Sequence, residues 1–125
     1  MLLTVAKVAL GGAIGASLRY LTGVATLRLM GPGFPWGTLT VNVVGSLAMG
    51  LFAAFVAHRG GQAWAPFVMT GVLGGFTTFS AFSLDAVTLF ERGQFGTAAL
   101  YITASVVVSI LCLFVGLSLG RGLFA

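Results

Sequence analysis

Three long stretches of this chain contain no Lys, Arg, Asp, Glu or His: Leu29 to Ala57, Gly60 to Leu84 and Gly93 to Gly120. Each exceeds the ~20 residues that cross a bilayer as a helix. Only 6% of the sequence is charged, against roughly 25% in a soluble domain, so a water-soluble globule is excluded. The 125 residues amount to one domain, 1–125, that is all-α and membrane-embedded.

Four spans fit the apolar pattern: about Leu2 to Leu29, Trp36 to Ala57, Trp64 to Phe90 and Phe95 to Gly120. Gly31-Pro32-Gly33-Phe34-Pro35, His58 to Gln62 and Glu91 to Gln94 separate them, and all three are turn or polar segments. The opening stretch lacks the basic start of a cleaved signal and continues past Lys7 and Arg19, so it is expected to remain as a span. Six Lys and Arg face two acids, yet the cations are scattered singly rather than clustered as nucleic-acid binding requires. Lys7, Arg28, Arg59, Arg92 and Arg121 stand near the ends of apolar runs, where long side chains reach headgroups.

With an even number of spans, Lys7, Arg59 and Arg121 fall on one side of the membrane and Arg28 and Arg92 on the other. It is Lys and Arg asymmetry that normally fixes orientation, and here it is almost absent. The expectation is dual topology, with the two orientations pairing as an antiparallel homodimer. Gly11 with Gly15, Gly71 with Gly75 and Gly116 with Gly120 are spaced for close helix approach. Packing within one chain and packing between chains are both open for each pair.

Polar residues inside the spans fall into patterns. Thr38, Asn42 and Ser46 recur every four residues in the second span, and Thr97, Tyr101, Ser105 and Ser109 do so in the fourth. They form either a polar track or hydroxyls that bond back to their own helix. In the third span, paired glycines and β-branched threonines in Gly74-Gly75-Phe76-Thr77-Thr78-Phe79-Ser80-Ala81-Phe82-Ser83 predict a break near mid-membrane. Unwound carbonyls there suit a small hard cation; the alternative is a kink capped by the threonine hydroxyls. Phe79 and Phe82 share a helix face, and a phenyl ring presents a positive edge. Beside an amide such as that of Asn42, these rings suit a dehydrated anion. Arg19 either draws anions into a vestibule or caps carbonyls of a broken neighbouring helix. Asp85 either pairs with a cation or approaches the interface.

Several chemistries lack their residues. No carboxylate or histidine sits in mid-span to carry a proton, as antiport requires. No nucleophile is paired with a base, so the chain is read as a non-enzyme. A phosphate-cradling GxxxxGK motif is missing, which argues against an ATP-driven pump. Cys112 is the single cysteine. A dual-topology exporter of the small multidrug type shares the size and charge balance, but the first-span glutamate it needs is missing.

At Gly11 to Tyr20, Trp36 to Ser46 and Gly71 to Ser83 the sequence resembles the Fluc or CrcB family of fluoride channels, with one motif per span in the family's order. The resemblance implies a passive fluoride-selective channel that exports cytoplasmic fluoride through two pores of an antiparallel dimer in the inner (plasma) membrane. It implies that Phe79 and Phe82 flank the ion path, that Asn42 is the pore amide, and that Tyr101, Ser105 and Ser109 are fourth-span groups along it. Thr38 and Ser80 are expected on the same path, and Arg19 near its entrance. Gly74 and Thr77 are expected to offer carbonyls to a structural sodium at the dimer interface. One departure from the family pattern is Ala81, where threonine usually stands.

Overall fold

The computed structural model describes all residues from Met1 to Ala125. Its elements are α1 (Leu2–Met30), α2 (Trp36–Arg59), a 3-10 turn (Gln62–Trp64), a π-helical segment (Pro66–Leu73), α3 (Gly74–Phe76), α4 (Phe79–Glu91) and α5 (Phe95–Phe124). The segments from Gln62 to Glu91 together make the third of four helices long and apolar enough to cross a membrane. Helices end where glycine permits it. Gly60 and Gly61 adopt φ of 77° and 94°, a region that other residues enter only with strain, and the chain reverses there from α2 into the third span.

Two helix pairs organise the molecule: α2 lies along α5, while α1 lies along the π-helical segment and α3. Neither pairing relies on large interlocking side chains, because glycine lets the backbones themselves meet. A Cβ added at Gly50 of α2 would lie 2.9 Å from the Leu117 nitrogen, and one at Gly116 of α5 would lie 3.0 Å from the Leu51 nitrogen. On the other pair, a Cβ at Gly11 or Gly71 would lie 2.9 Å from the other's Cα, and one at Gly75 would lie 2.8 Å from the Gly12 carbonyl. Gly15 faces the Val72 carbonyl, and Gly120 faces Leu51 and Ala54. All three spaced glycine pairs therefore pack within the chain.

The third span departs most from regular helix. Its first half is wound as π turns, an arrangement in which each amide reaches five residues back. The sequence carries no compositional signal for this beyond Pro66 at the segment's start. The break follows α3: Thr77 (φ −84°, ψ 159°) and Thr78 (φ −155°, ψ 125°) are both extended. The span is thus interrupted near its middle, as the glycine and threonine pairs predict. Beyond the break, α4 packs Phe82 and Leu89 against Ala98 and Tyr101 of α5, with Phe34, Leu39 and Ala86 around them. Most other large apolar side chains point outward, among them Leu10, Leu100 and Phe114. In a chain with four such helices this apolar surface suits lipid or the helices of a second chain rather than water.

The glycine contacts predict unequal sensitivity along the chain. Gly50→Leu, which forces α2 away from α5, should destabilise the fold by about 1–3 kcal/mol. Gly122→Ala, where a Cβ meets nothing within 4 Å, should be neutral or slightly stabilising. Thermal or denaturant unfolding of the purified variants in detergent measures both.

Candidate functional site

Breaking a helix inside the membrane frees carbonyls and amides that lipid cannot satisfy. The surrounding helices supply the partners. Asn42 of α2 clamps Thr78 with two bonds: its Nδ2 donates to the Thr78 carbonyl at 3.0 Å, and its Oδ1 accepts from the Thr78 amide at 2.8 Å. Thr77 donates its hydroxyl to the Leu73 carbonyl at 2.9 Å. The Thr78 hydroxyl caps α4 by accepting from the Ala81 amide at 3.2 Å. Arg19 of α1 donates from Nε to the Gly75 carbonyl at 3.0 Å. Of the two roles open to Arg19, carbonyl capping is the contact it makes. Gly45 of α2 makes room for the break, since any Cβ there would collide with the Thr77 methyl.

Beside this break lies a cleft of about 430 Å³ between α2, α4 and α5. Among the residues lining it are Asn42, Ser46, Thr77, Phe79, Phe82, Ser105 and Ser109, so three spans contribute. None of its lining residues is ionisable. The Phe79 and Phe82 rings lie 5.6 Å apart at 55°, with Phe79 78% exposed and Phe82 buried.

The hydroxyls along the spans divide into two groups. Ser17, Thr22, Thr26 and Ser83 each bond back to the carbonyl four residues earlier, as lone hydroxyls in apolar helices commonly do. Ser105 and Ser109 do not. Their hydroxyl oxygens are buried and have no hydrogen-bond partner. They are uncommitted donors beside the phenylalanine pair, and buried polar groups of this kind call for an explanation.

The every-fourth-residue stripes are split between two places, for a geometric reason. Four residues turn an α-helix by 400°, so such a stripe drifts about 40° per step. Asn42, Ser46, Ser105 and Ser109 face the cleft, while Thr38 lines a second cavity of about 570 Å³ with Arg19, Thr78, Ala81 and Asp85. Tyr101 reaches neither cavity. It is fully buried, its ring 5.3 Å from that of Phe82, and its hydroxyl donates to Asp85 Oδ2 at 3.0 Å. That contact is neither of the roles the sequence left open for Asp85, and no spacing pattern announces a partner 16 residues away. Ser80 is exposed near Thr78 Oγ1, and Gly74 lies outside both linings. Met49 and Gly45 complete the α2 wall of the cleft, though neither residue type marks a site in a chain this apolar.

The sequence has relatives of high identity. The family described as CrcB-like protein, Camphor Resistance (CrcB) matches residues 6–117. The chain belongs to the CrcB family. A protein of Ruegeria sp. named "Fluoride-specific ion channel FluC" is 63% identical over 123 residues, covering 98% of each chain. Relatives with the same name from Paracoccus denitrificans and Agrobacterium fabrum are each 59% identical, over 98% of this chain and at least 98% of their own. With its four apolar helices, this CrcB-family chain is a multi-pass membrane protein.

The Asn42 clamp yields a directional prediction. Aspartate at position 42 can still accept from the Thr78 amide, but when ionised it cannot donate to the Thr78 carbonyl. Asn42→Asp should therefore loosen the break by about 1–3 kcal/mol, read as faster amide hydrogen exchange at Thr78 to Ala81.

Proposed function

We propose that this protein is a passive, fluoride-selective channel through which accumulated fluoride leaves the cytoplasm. The observation that carries the reading is the pair of buried, unpartnered Ser105 and Ser109 hydroxyls in the same uncharged cleft as Phe79 and Phe82. A small anion leaving water needs donors that replace its hydration without a fixed charge to trap it. The serine hydroxyls and the second Nδ2 hydrogen of Asn42, left over from the Thr78 clamp, are such donors. Ring edges of Phe79 and Phe82 add a weak positive potential. The names carried by the relatives, at up to 63% identity across the chain, support fluoride as the ion. A proton-coupled exporter of the small multidrug type is disfavoured, since no carboxylate lines the cleft and Asp85 is engaged by Tyr101.

The channel unit in this reading is an antiparallel homodimer with two pathways, inserted in both orientations in the inner (plasma) membrane. The near-equal charge count at the two ends supports it. Gly74 and Thr77 are the proposed sodium donors at the centre of that dimer. Their carbonyls fit the ion, since no hydrogen bond of the break engages either oxygen, whereas the neighbouring Gly75 and Thr78 carbonyls are taken. A bound sodium would supply a fixed positive charge that holds unwound backbone together. Thr38, Tyr101 and Ser80 belong to the periphery of the path, as supports of the groups that face the ion.

Two measurements test this. Liposomes containing the purified protein should release fluoride and retain chloride, and Ser105→Ala with Ser109→Ala should slow release about tenfold or more, the loss of a hydrogen bond to a charged group. Equal chloride release, or full flux in the double variant, would overturn the site. A tag at the C-terminus should be accessible from both sides of the membrane; access from one side only would refute dual insertion.

A further inference from the structure

We propose that Arg19 is a positioning residue that sets the height and angle of the third-span break through the Gly75 carbonyl, and that its positive charge is incidental to conduction. The inference deepens the channel reading and rests on it for the flux measurement. Loss of regular helix after Phe76 takes from Gly75 the amide its carbonyl would otherwise meet in the next turn, because Thr77 and Thr78 are extended. Arg19 replaces that amide at 3.0 Å. The contact is held in register by direct backbone packing. Gly75 lies against Gly12 and Ala16 of α1, and a Cβ there would lie 2.8 Å from the Gly12 carbonyl and 3.2 Å from the Ala16 nitrogen. Arg19 is one turn beyond Gly15 and Ala16, so the same face of α1 that abuts Gly75 delivers the guanidinium to it.

Three residues further on, Asn42 fixes Thr78 from the opposite side with its own two bonds. The unwound segment is therefore pinned at Gly75 by the first span and at Thr78 by the second. Phe79 follows the second pin directly. With both ends held, the free Thr77 carbonyl and the ring of Phe79 have one placement relative to α1 and α2. A point charge collecting anions would not require Nε on a carbonyl; it would be served by any cation in the cavity that Arg19 lines with Asp85 and Thr78.

Glutamine separates the two roles, because its Nε2 sits where arginine has Nε and donates without charge. Arg19→Met removes donor and charge together. Positioning predicts that Arg19→Met lowers fluoride release from liposomes about tenfold, the effect of one half-buried carbonyl left unsatisfied within a span, and that Arg19→Gln recovers most of that loss. Should Arg19→Met fail to fold, the ratio of Arg19→Gln to parent flux decides alone. Positioning predicts the same ratio at 0.01 M and at 1 M ionic strength, whereas an anion-collecting charge loses its advantage as salt shortens its reach from about 30 Å to about 3 Å. Equal losses in both variants, or a salt-dependent ratio, would overturn the proposal. If the parent protein itself releases no fluoride, the channel reading fails separately, and amide exchange at Gly75 to Phe79 still decides: protection lost in Arg19→Met and restored in Arg19→Gln supports positioning, and no difference refutes it.

Discussion

Hydrogen-bond satisfaction inside a membrane is the constraint on which this structure turns. A helix that opens in lipid leaves polar backbone with nothing to meet, and the third span opens at Thr77 and Thr78. The opening persists because each neighbour spends a polar side chain on it: Arg19 on Gly75 and Asn42 on Thr78. The Thr78 hydroxyl supplies the Ala81 amide, and the Thr77 hydroxyl adds a second bond to the Leu73 carbonyl, which also accepts from the Thr77 amide. Residues that look sparse and unrelated along the sequence converge on five peptide units.

Glycine makes that convergence reachable. Gly11, Gly15 and Gly75 bring α1 onto the third span, and Gly45 brings α2 beside Thr77, with backbone meeting backbone. Side chains of ordinary size would hold the helices further apart, beyond the reach of Asn42 and its short side chain. The 19 glycines of the sequence are therefore distributed by function. Those at the helix contacts permit approach, those in the loops permit reversal, and others, such as Gly96 and Gly122, have open space where a Cβ would stand.

Much of this was legible from the residues. Uncharged runs located the last three spans, the apolar stretch past Lys7 and Arg19 located the first, and the Gly-Gly and Thr-Thr pairs located the break to within a residue or two. The cleft was only half legible. Asn42, Ser105 and Ser109 share it with Phe79 and Phe82, but the stripes that suggested them also contain Thr38 and Tyr101, which the drift of a four-residue repeat carries elsewhere. Capping was one of the two roles open to Arg19, but its partner Gly75, like the pairing of Tyr101 with Asp85, leaves no trace in spacing, because periodicity shows which residues share a face and not which faces meet. The π turns between Pro66 and Leu73, which lie along α1, were equally silent.

That wide winding has a consequence for what the chain tolerates. A π segment holds the same axial distance with surplus residues, so shortening Pro66–Leu73 by one position would let it tighten into α-helix while keeping the loop before it. The tighter turns would make up for the lost residue, so Thr77 would stay beside Gly45 and Thr78 within reach of the Asn42 amide, whereas the same deletion inside α5, which is already α-helical, would rotate everything beyond it by about 100°. A one-residue deletion in this stretch is thus better absorbed than one in the α-helices, and the surplus residue is slack held ahead of the break.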